Sequence, residues 1–311
     1  MKHMKLNIVL FAVIFTISAC GGGTTSAPES NSSPSSSSTW PASGKSIPPD
    51  SYGVLLDSAV EGLRYKSGGH YGVTDSNGRF GYIFGENIEF YIGNSLIAYT
   101  DIPTELLTPY ELSSNGPFST VDVLRLLQSL DDDGDANNGI KIIDATHQLA
   151  ESVKIEPNRN FNIQFDMIDS SVITKLTSVT SAGTRGITSA YDAYFHFATT
   201  LDKLIDDKED DIQSLADQTT CTTSEQCDII ELDTKFTYYC PDPGTTITYS
   251  VNDIDQSQID ILVAERKYFI GVKQDVKYLV GATNTGTGFC ISARPPISLV
   301  CNLSNRCEIR N

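Results

Sequence analysis

Between residues 52 and 99 apolar and polar positions alternate in short runs, at 53–56, 63–66, 70–74, 79–83, 88–92 and 95–99. Asp57-Ser58, Ser67-Gly68-Gly69, Asp75-Ser76-Asn77-Gly78 and Gly85-Glu86-Asn87 separate them. A period of two broken by turn-forming residues predicts antiparallel strands with tight turns. Asn77-Gly78 supplies the positive φ angles that a hairpin wants, and Phe80, Tyr82, Ile88, Phe90 and Ile92 alternate onto one face. A small β-sandwich is the simplest closure. After Pro103 the period lengthens: Val121, Val123, Leu124, Leu126, Leu127 and Leu130 recur at helical spacing behind Ser119-Thr120, with Asp122 in the first turn, which predicts a helix over 120–130. Beyond residue 217, β-type runs return at 235–239, 245–251, 259–263, 267–272 and 276–280. The expected fold class is α+β and β-rich. It comprises a β-sandwich over 50–100, a helical segment with an acidic loop over 101–216, and a disulfide-stapled β-domain over 217–311.

The first 49 residues follow neither period. Met1-Lys2-His3-Met4-Lys5 precedes an apolar run over 6–17, interrupted by Asn7 and Thr16, then Ser18, Ala19 and Cys20. This is the layout of a secretory signal. A twelve-residue run rises about 18 Å as a helix, short of the ~30 Å of a bilayer core, so it reads as a targeting segment over 1–19. Ile17-Ser18-Ala19-Cys20 resembles a bacterial lipobox. The resemblance implies a diacylglycerol thioether on Cys20 and an amide-linked acyl chain such as palmitate, which together anchor the chain permanently. Gly21 follows the cysteine where inner-membrane lipoproteins often carry Asp, which by analogy favours the outer membrane. Residues 20–49 are rich in Ser, Pro and Gly and read as a tether reaching on the order of 30 Å. Gly44-Lys45-Ser46 is not a phosphate loop, because Thr39 stands where its first glycine is required.

Charge narrows the partners. With 22 Lys and Arg against 39 Asp and Glu, the formal net charge of −17 opposes any phosphate backbone, and no nucleic-acid partner is expected. The 40% hydrophobic content suffices for a packed core.

Three stretches, DSAVEGLRY, TDSNGRFGY and GENIEFYIG, resemble the surface domains of uncharacterised bacterial lipoproteins. The second is also similar to carboxypeptidase-regulatory, transthyretin-like sandwiches. LLQSLDDDGDANNGI and AYFHFATTL resemble the same lipoproteins, the latter a helix over 193–201, so the likeness spans residues 50 to about 205. It implies an architecture and no catalytic chemistry.

Within it, the run from Asp131 to Gly139 is the sharpest constellation, since carboxylates and amides alternating on a glycine-containing turn can converge on a hard cation. Taking Asp133 as the first ligand places Asp135, Asn137, the Gly139 carbonyl and Asp144 at positions 3, 5, 7 and 12 of a calcium loop. The fit is incomplete. Asn138 replaces the usual glycine, Asp144 stands where a longer Glu gives bidentate reach, and a frame starting at Asp131 ends on Ile142. A solvated helix-ending loop accounts for the same residues. His196, among Tyr191, Tyr194, Phe195 and Phe197, reads as a packed histidine. His70 and His147 show no zinc spacing, and neither a GxSxG elbow nor a dinucleotide fingerprint occurs. The acidic run 206–211 could supply a carboxylate pair for glycoside chemistry but reads better as a hydrated face.

Besides Cys20, the cysteines are Cys221, Cys227, Cys240, Cys290, Cys301 and Cys307, an even number confined to the last third of the chain. In an exported protein they imply disulfides, with zinc the weaker reading. Two short loops suggest Cys221 with Cys227 and Cys301 with Cys307, which leaves Cys240 with Cys290 to tie strands across the domain. The functional expectation is a lipid-anchored outer-membrane or cell-surface binding or adhesion protein, non-enzymatic, meeting an extracellular or envelope partner. The alternatives are a surface hydrolase acting on glycans or peptides and an accessory subunit of an envelope complex.

Overall fold

The alternation over 51–100 builds β1 (Ser51–Leu55), β2 (Val60–Glu61), β3 (Arg64–Ser67), β4 (His70–Val73), β5 (Arg79–Tyr82), β6 (Ile88–Ile92) and β7 (Ser95–Thr100). A sheet ordered β4-β3-β6-β7 faces one ordered β5-β1-β8, where β8 (Leu106–Leu107) lies parallel to β1. Phe80 of β5 meets Phe90 of β6 edge-on at 5.6 Å, and Leu55, Ile88, Ile92 and Ile97 are buried around them. The expected sandwich is therefore present. Asn77-Gly78, however, does not close a hairpin: β4 pairs with β3 and β5 with β1, so the turn carries the chain between sheets. It can do so because it satisfies itself. Asp75 Oδ1 accepts the Asn77 and Arg79 N–H groups at 2.9 Å, and the Gly78 carbonyl accepts Leu55 N–H at 2.9 Å. Gly78 has φ +72°, and a Cβ there would lie 2.5 Å from the Leu55 oxygen.

The computed structural model describes residues 46–113, 116–157, 168–233, 245–252, 254–282 and 297–310, all within a contact unit spanning 38–311. Cys20, the tether up to residue 45, the 235–239 run, Cys240 and Cys290 lie outside the described residues.

After α1 (Pro109–Ser113) comes α2 (Thr120–Ser129), close to the bounds expected and buried at every position. Ser119 caps it, accepting Asp122 N–H at 3.2 Å and donating to Asp122 Oδ2 at 2.7 Å. One face, Val123, Leu126 and Leu127, enters the sandwich core; the other, Val121 and Leu124, enters a second core. The chain then returns through β9 (Ile140–Lys141), parallel to β2, into α3 (Asp144–Val153) and α4 (Ser170–Thr177), whose Ile173 and Leu176 complete the first core.

The longest element, α5 (Ala190–Asp217), includes the expected 193–201 helix. β10 (Cys227–Glu231) and β11 (Thr246–Ser250) form an antiparallel pair, followed by α6 (Gln256–Leu279) and the hairpin of β12 (Ser298–Cys301) and β13 (Cys307–Arg310). The strands expected at 259–263, 267–272 and 276–280 are instead one helix, α6. Its buried positions Ile259, Leu262, Arg266, Phe269, Lys273 and Val276 advance by three and four, a helical seam in which two places are held by cations. Arg266 Nη2 meets Glu209 at 3.1 Å and Lys273 Nζ meets Asp202 at 2.6 Å, both on α5, which therefore runs antiparallel to α6. Those cations break the apolar pattern into short runs that imitate strands. No helix among the described residues is long and apolar enough to cross a membrane.

The disulfides also differ from the short-loop expectation. Cys221 bonds Cys301 and Cys227 bonds Cys307, each across 80 residues. The β12–β13 hairpin sets Cys301 opposite Cys307, and the sulfurs reach across to Cys221, ahead of β10, and to Cys227, its first residue, rather than to each other. Closing an 80-residue loop restricts the unfolded chain by on the order of 4 kcal/mol. The second bond, parallel to the first, adds much less. The Cys221, Cys227 and Cys307 sulfurs cluster within 4.8 Å, yet all are committed to disulfides and offer no thiolate to zinc.

Because Arg266 is 3% exposed, removing its partner leaves a buried charge without its counter-ion. Glu209→Ala is expected to lower stability by about 3 kcal/mol in denaturant unfolding, and the double variant Glu209→Leu/Arg266→Met to recover most of that loss. A single variant that unfolds at the wild-type midpoint would contradict this account of the seam.

Candidate functional site

The acidic loop starts where α2 ends and closes through a 3₁₀ turn, Ala136–Asn138. Asp133 Oδ1 accepts Asp135 N–H at 2.9 Å, and its Oδ2 accepts the Asn138 amide at 3.0 Å. These donors hold the exposed Asp133 carboxyl below the usual carboxylate range. Asp135 Oδ1 accepts from the backbone and side-chain amides of Asn137, at 3.2 and 2.8 Å, so that pair is turned onto itself. From below, Arg185 donates to the carbonyls of Ser129 and Asp131, and Ser181 N–H donates to Asp132 Oδ1 at 2.8 Å.

Asp131 differs from its neighbours in being only 1% exposed. Its Oδ1 accepts Lys141 N–H at 2.8 Å, while its Oδ2 has no hydrogen-bond partner. Burial, and secondarily the adjacent Asp133 carboxylate, push its pKa up to about 6 against the pull of the Lys141 and Gly134 N–H groups. Beside it opens a pocket of about 160 Å³, lined by Glu61 and Ser76 from the sandwich, Asp131, Asp132 and Asp133 from the loop, and Asn138, Gly139 and Lys141. Of the residues expected to hold calcium, Asp133 and Gly139 line this pocket. Asp135 and Asn137 do not, and Asp144 is exposed in the first turn of α3. Ile142, the end of the alternative frame, is in the core. Glu61 arrives through the parallel pairing of β2 with β9 and Ser76 from the turn between β4 and β5, and nothing in the local spacing marks either.

A second polar cluster links the β1–β2 turn to α5. Asp57, fully buried, accepts Gln128 Nε2 at Oδ2, 2.9 Å, and its Oδ1 lies 3.5 Å from His196 Nε2. Burial pushes Asp57 up to about 7, opposed by His196 and the Gln128 amide. Ser58, at φ 60°, places Oγ 3.2 Å from the same His196 nitrogen, which also lies 3.1 Å from the Asp57 carbonyl. A serine–histidine–aspartate relay needs the hydroxyl and the carboxylate on opposite ring nitrogens. Here both face Nε2, and the arrangement ties turn to helix. His196 is thus nearly buried, as expected of a packed histidine, and polar contacts to Asp57 and Ser58 hold it. The 206–211 run lies on α5 with Asp207, Asp210 and Asp211 exposed, while Lys208 pairs with Glu265 at 2.8 Å.

No protein-family model matches the chain, and no curated protein or solved structure matches it.

His147 is a structural group. Its Nδ1 accepts Gly93 N–H at 2.9 Å and its Nε2 donates to the Gly62 carbonyl at 2.8 Å, which fixes a neutral tautomer between two turns. Burial, with Arg64 adding repulsion, lowers its pKa to about 4 from an ordinary 6.5. The unfolded chain therefore binds the extra proton between those values. This contribution, on the order of 3 kcal/mol, is present above about pH 6.5 and is lost as the pH falls towards about 4. Asp57 and Asp131 act with the opposite sign, favouring the fold until the pH rises through about 7 and about 6. Comparison with His147→Gln cancels them. The stability gap between wild type and variant is expected to be largest above pH 6.5 and to shrink towards pH 4 in thermal unfolding, whereas a pH-independent gap would refute the assignment.

Proposed function

We propose that the chain is a lipid-anchored outer-membrane or cell-surface protein whose disulfide-braced end serves in binding or adhesion. The observation carrying this reading is the β12–β13 hairpin. None of its strand residues is buried, its loop residue Leu303 is fully exposed, and its two inner cysteines are bonded to Cys221, ahead of β10, and to Cys227, the first residue of β10. Asn302 organises the loop, its Oδ1 accepting Ser304 and Arg306 N–H at 2.9 and 3.0 Å, and Asn305 takes the positive φ that such a loop needs. Two covalent braces on an element with so little burial keep an uncommitted surface in one conformation, the preorganisation that recognition uses. Disulfides also fit an exported protein, in agreement with the lipobox resemblance at Cys20 and the Ser- and Pro-rich tether.

On intact cells, added protease is expected to digest the protein, and Cys20→Ala to move it from the membrane to the soluble fraction. Leu303→Asp is expected to leave the amount displayed unchanged and to reduce cell adherence severalfold. Protection from protease together with unchanged fractionation of Cys20→Ala would overturn the proposal; protection accompanied by a stoichiometric copurifying envelope protein would point to the accessory-subunit alternative.

A further inference from the structure

We propose that the pocket between the acidic loop and the β2–β9 pair binds calcium, with the Asp131 and Asp133 carboxylates as its anchoring ligands. This site stands apart from the hairpin and does not depend on the reading of the chain as a surface protein.

Two observations point to a cation. The lining holds four carboxylates, from Glu61, Asp131, Asp132 and Asp133, against one ammonium, that of Lys141, which Glu61 already meets at 3.1 Å. An acidic lining alone would be ordinary turn chemistry. The second observation is Asp131 itself, a residue of the pocket lining that is 1% exposed, with Oδ1 fixed by Lys141 N–H and Oδ2 without a hydrogen-bond donor. A buried anionic oxygen with no donor is costly, and the Lys141 contact prevents it from swinging to water. A hard cation is the partner that its chemistry asks for.

The donors suit calcium. It takes about six to eight oxygens at about 2.3–2.6 Å in flexible geometry, combining carboxylates, amide or backbone carbonyls and water. Asp131 and Asp133 supply the charge, Asn138 and Gly139, which line the same pocket, carry an amide and a carbonyl oxygen, and about 160 Å³ leaves room for water. Magnesium demands near-octahedral geometry and sheds water reluctantly, which an irregular loop of this kind serves less well. Only Asp133 and Gly139 of the loop-spacing ligand set belong to this site; Asp131 replaces Asp144 as the decisive carboxylate.

Calorimetric titration of the detergent-solubilised full chain with calcium chloride is expected to show one saturable site. Calcium at a hundredfold excess over its dissociation constant is expected to raise the unfolding midpoint by about 5 °C. Asp131→Asn, which preserves shape and the Lys141 contact, and Asp133→Asn, on the exposed side of the pocket, should each weaken binding at least tenfold. Asp144→Ala should bind as wild type. If Asp131→Asn fails to fold, Asp133→Asn still decides. Absence of both saturable heat and a midpoint shift in folded wild-type protein at millimolar calcium would overturn the proposal, as would unchanged affinity in Asp133→Asn. Equal stabilisation by magnesium would overturn the choice of calcium.

Discussion

The antiparallel seam between α5 and α6 is the contact on which the rest of the chain depends. At the start of α5, Ala193, Phe197 and Leu201 pack with Val121 and Leu124 of α2 and with Phe269 and Val276 of α6. Towards its end Ile212 and Ala216 join Ile259, Leu262 and the β10–β11 pair in a separate core. One helix of 28 residues, about 42 Å long, thus carries the sandwich at one end and the disulfide-linked strands at the other. The ion pairs within the seam contribute alignment more than strength. Sliding α6 by one turn would keep apolar residues against apolar residues but strand Arg266 and Lys273 away from Glu209 and Asp202. An unpaired charge at those depths costs far more than a mismatched methyl group, so the charges select one register.

The same charges decide how much of the fold is legible in the sequence. Over residues 51–100 local pattern and final environment agree: alternating side chains face one core, turns hold Gly, Asn and Asp, and the strand bounds fall within a few residues of expectation. For α2 the helical period is uninterrupted. Along α6 it fails because Arg266 and Lys273 sit at seam positions, and only the partners on α5 show that they belong to a buried face. Cysteine pairing is illegible for a related reason. Nearness along the chain favours Cys221 with Cys227, whereas the hairpin register and its docking beside β10 determine which sulfurs meet. The pocket falls between these cases: the acidic loop stands out at once, but Glu61 reaches it through the pairing of β2 with β9 and Ser76 from the turn between β4 and β5, and the burial that singles out Asp131 is a property of the assembled fold.

Buried ionisable groups occur where layers meet. Asp57 and Gln128 join the β1–β2 turn to α2, and His196 ties the same turn to α5. His147 on α3 holds two turns of the sandwich, and Asp131 joins the end of α2 to β9. Each carries directional bonds across a junction that apolar packing alone would leave free to slide, and each costs desolvation. The histidine meets that cost by remaining neutral with both ring nitrogens bonded. The two aspartates cannot do the same, since each retains a buried oxygen without a hydrogen-bond donor. Asp57 has the His196 ring 3.5 Å from that oxygen. The pocket beside Asp131 is lined by three further carboxylates, from Glu61, Asp132 and Asp133, which is why it, and not Asp57, points to a bound cation.

Covalent bonds appear where burial fails. The β10–β11 pair draws its core from Ile212, Ala216, Ile259 and Leu262 and needs no staple to be covered. The β12–β13 pair buries no residue of its own, and a two-stranded sheet without a packed face is marginal in water. Backbone contacts add a little, from Cys221 N–H to the Asn305 carbonyl at 3.0 Å and from the Arg306 guanidinium to the Thr219 carbonyl at 3.1 Å. The disulfides supply what the missing core does not. Had the hairpin been held by apolar packing, its side chains would be committed to the interior. Held through its sulfurs, it leaves Leu303 and Ile309 exposed.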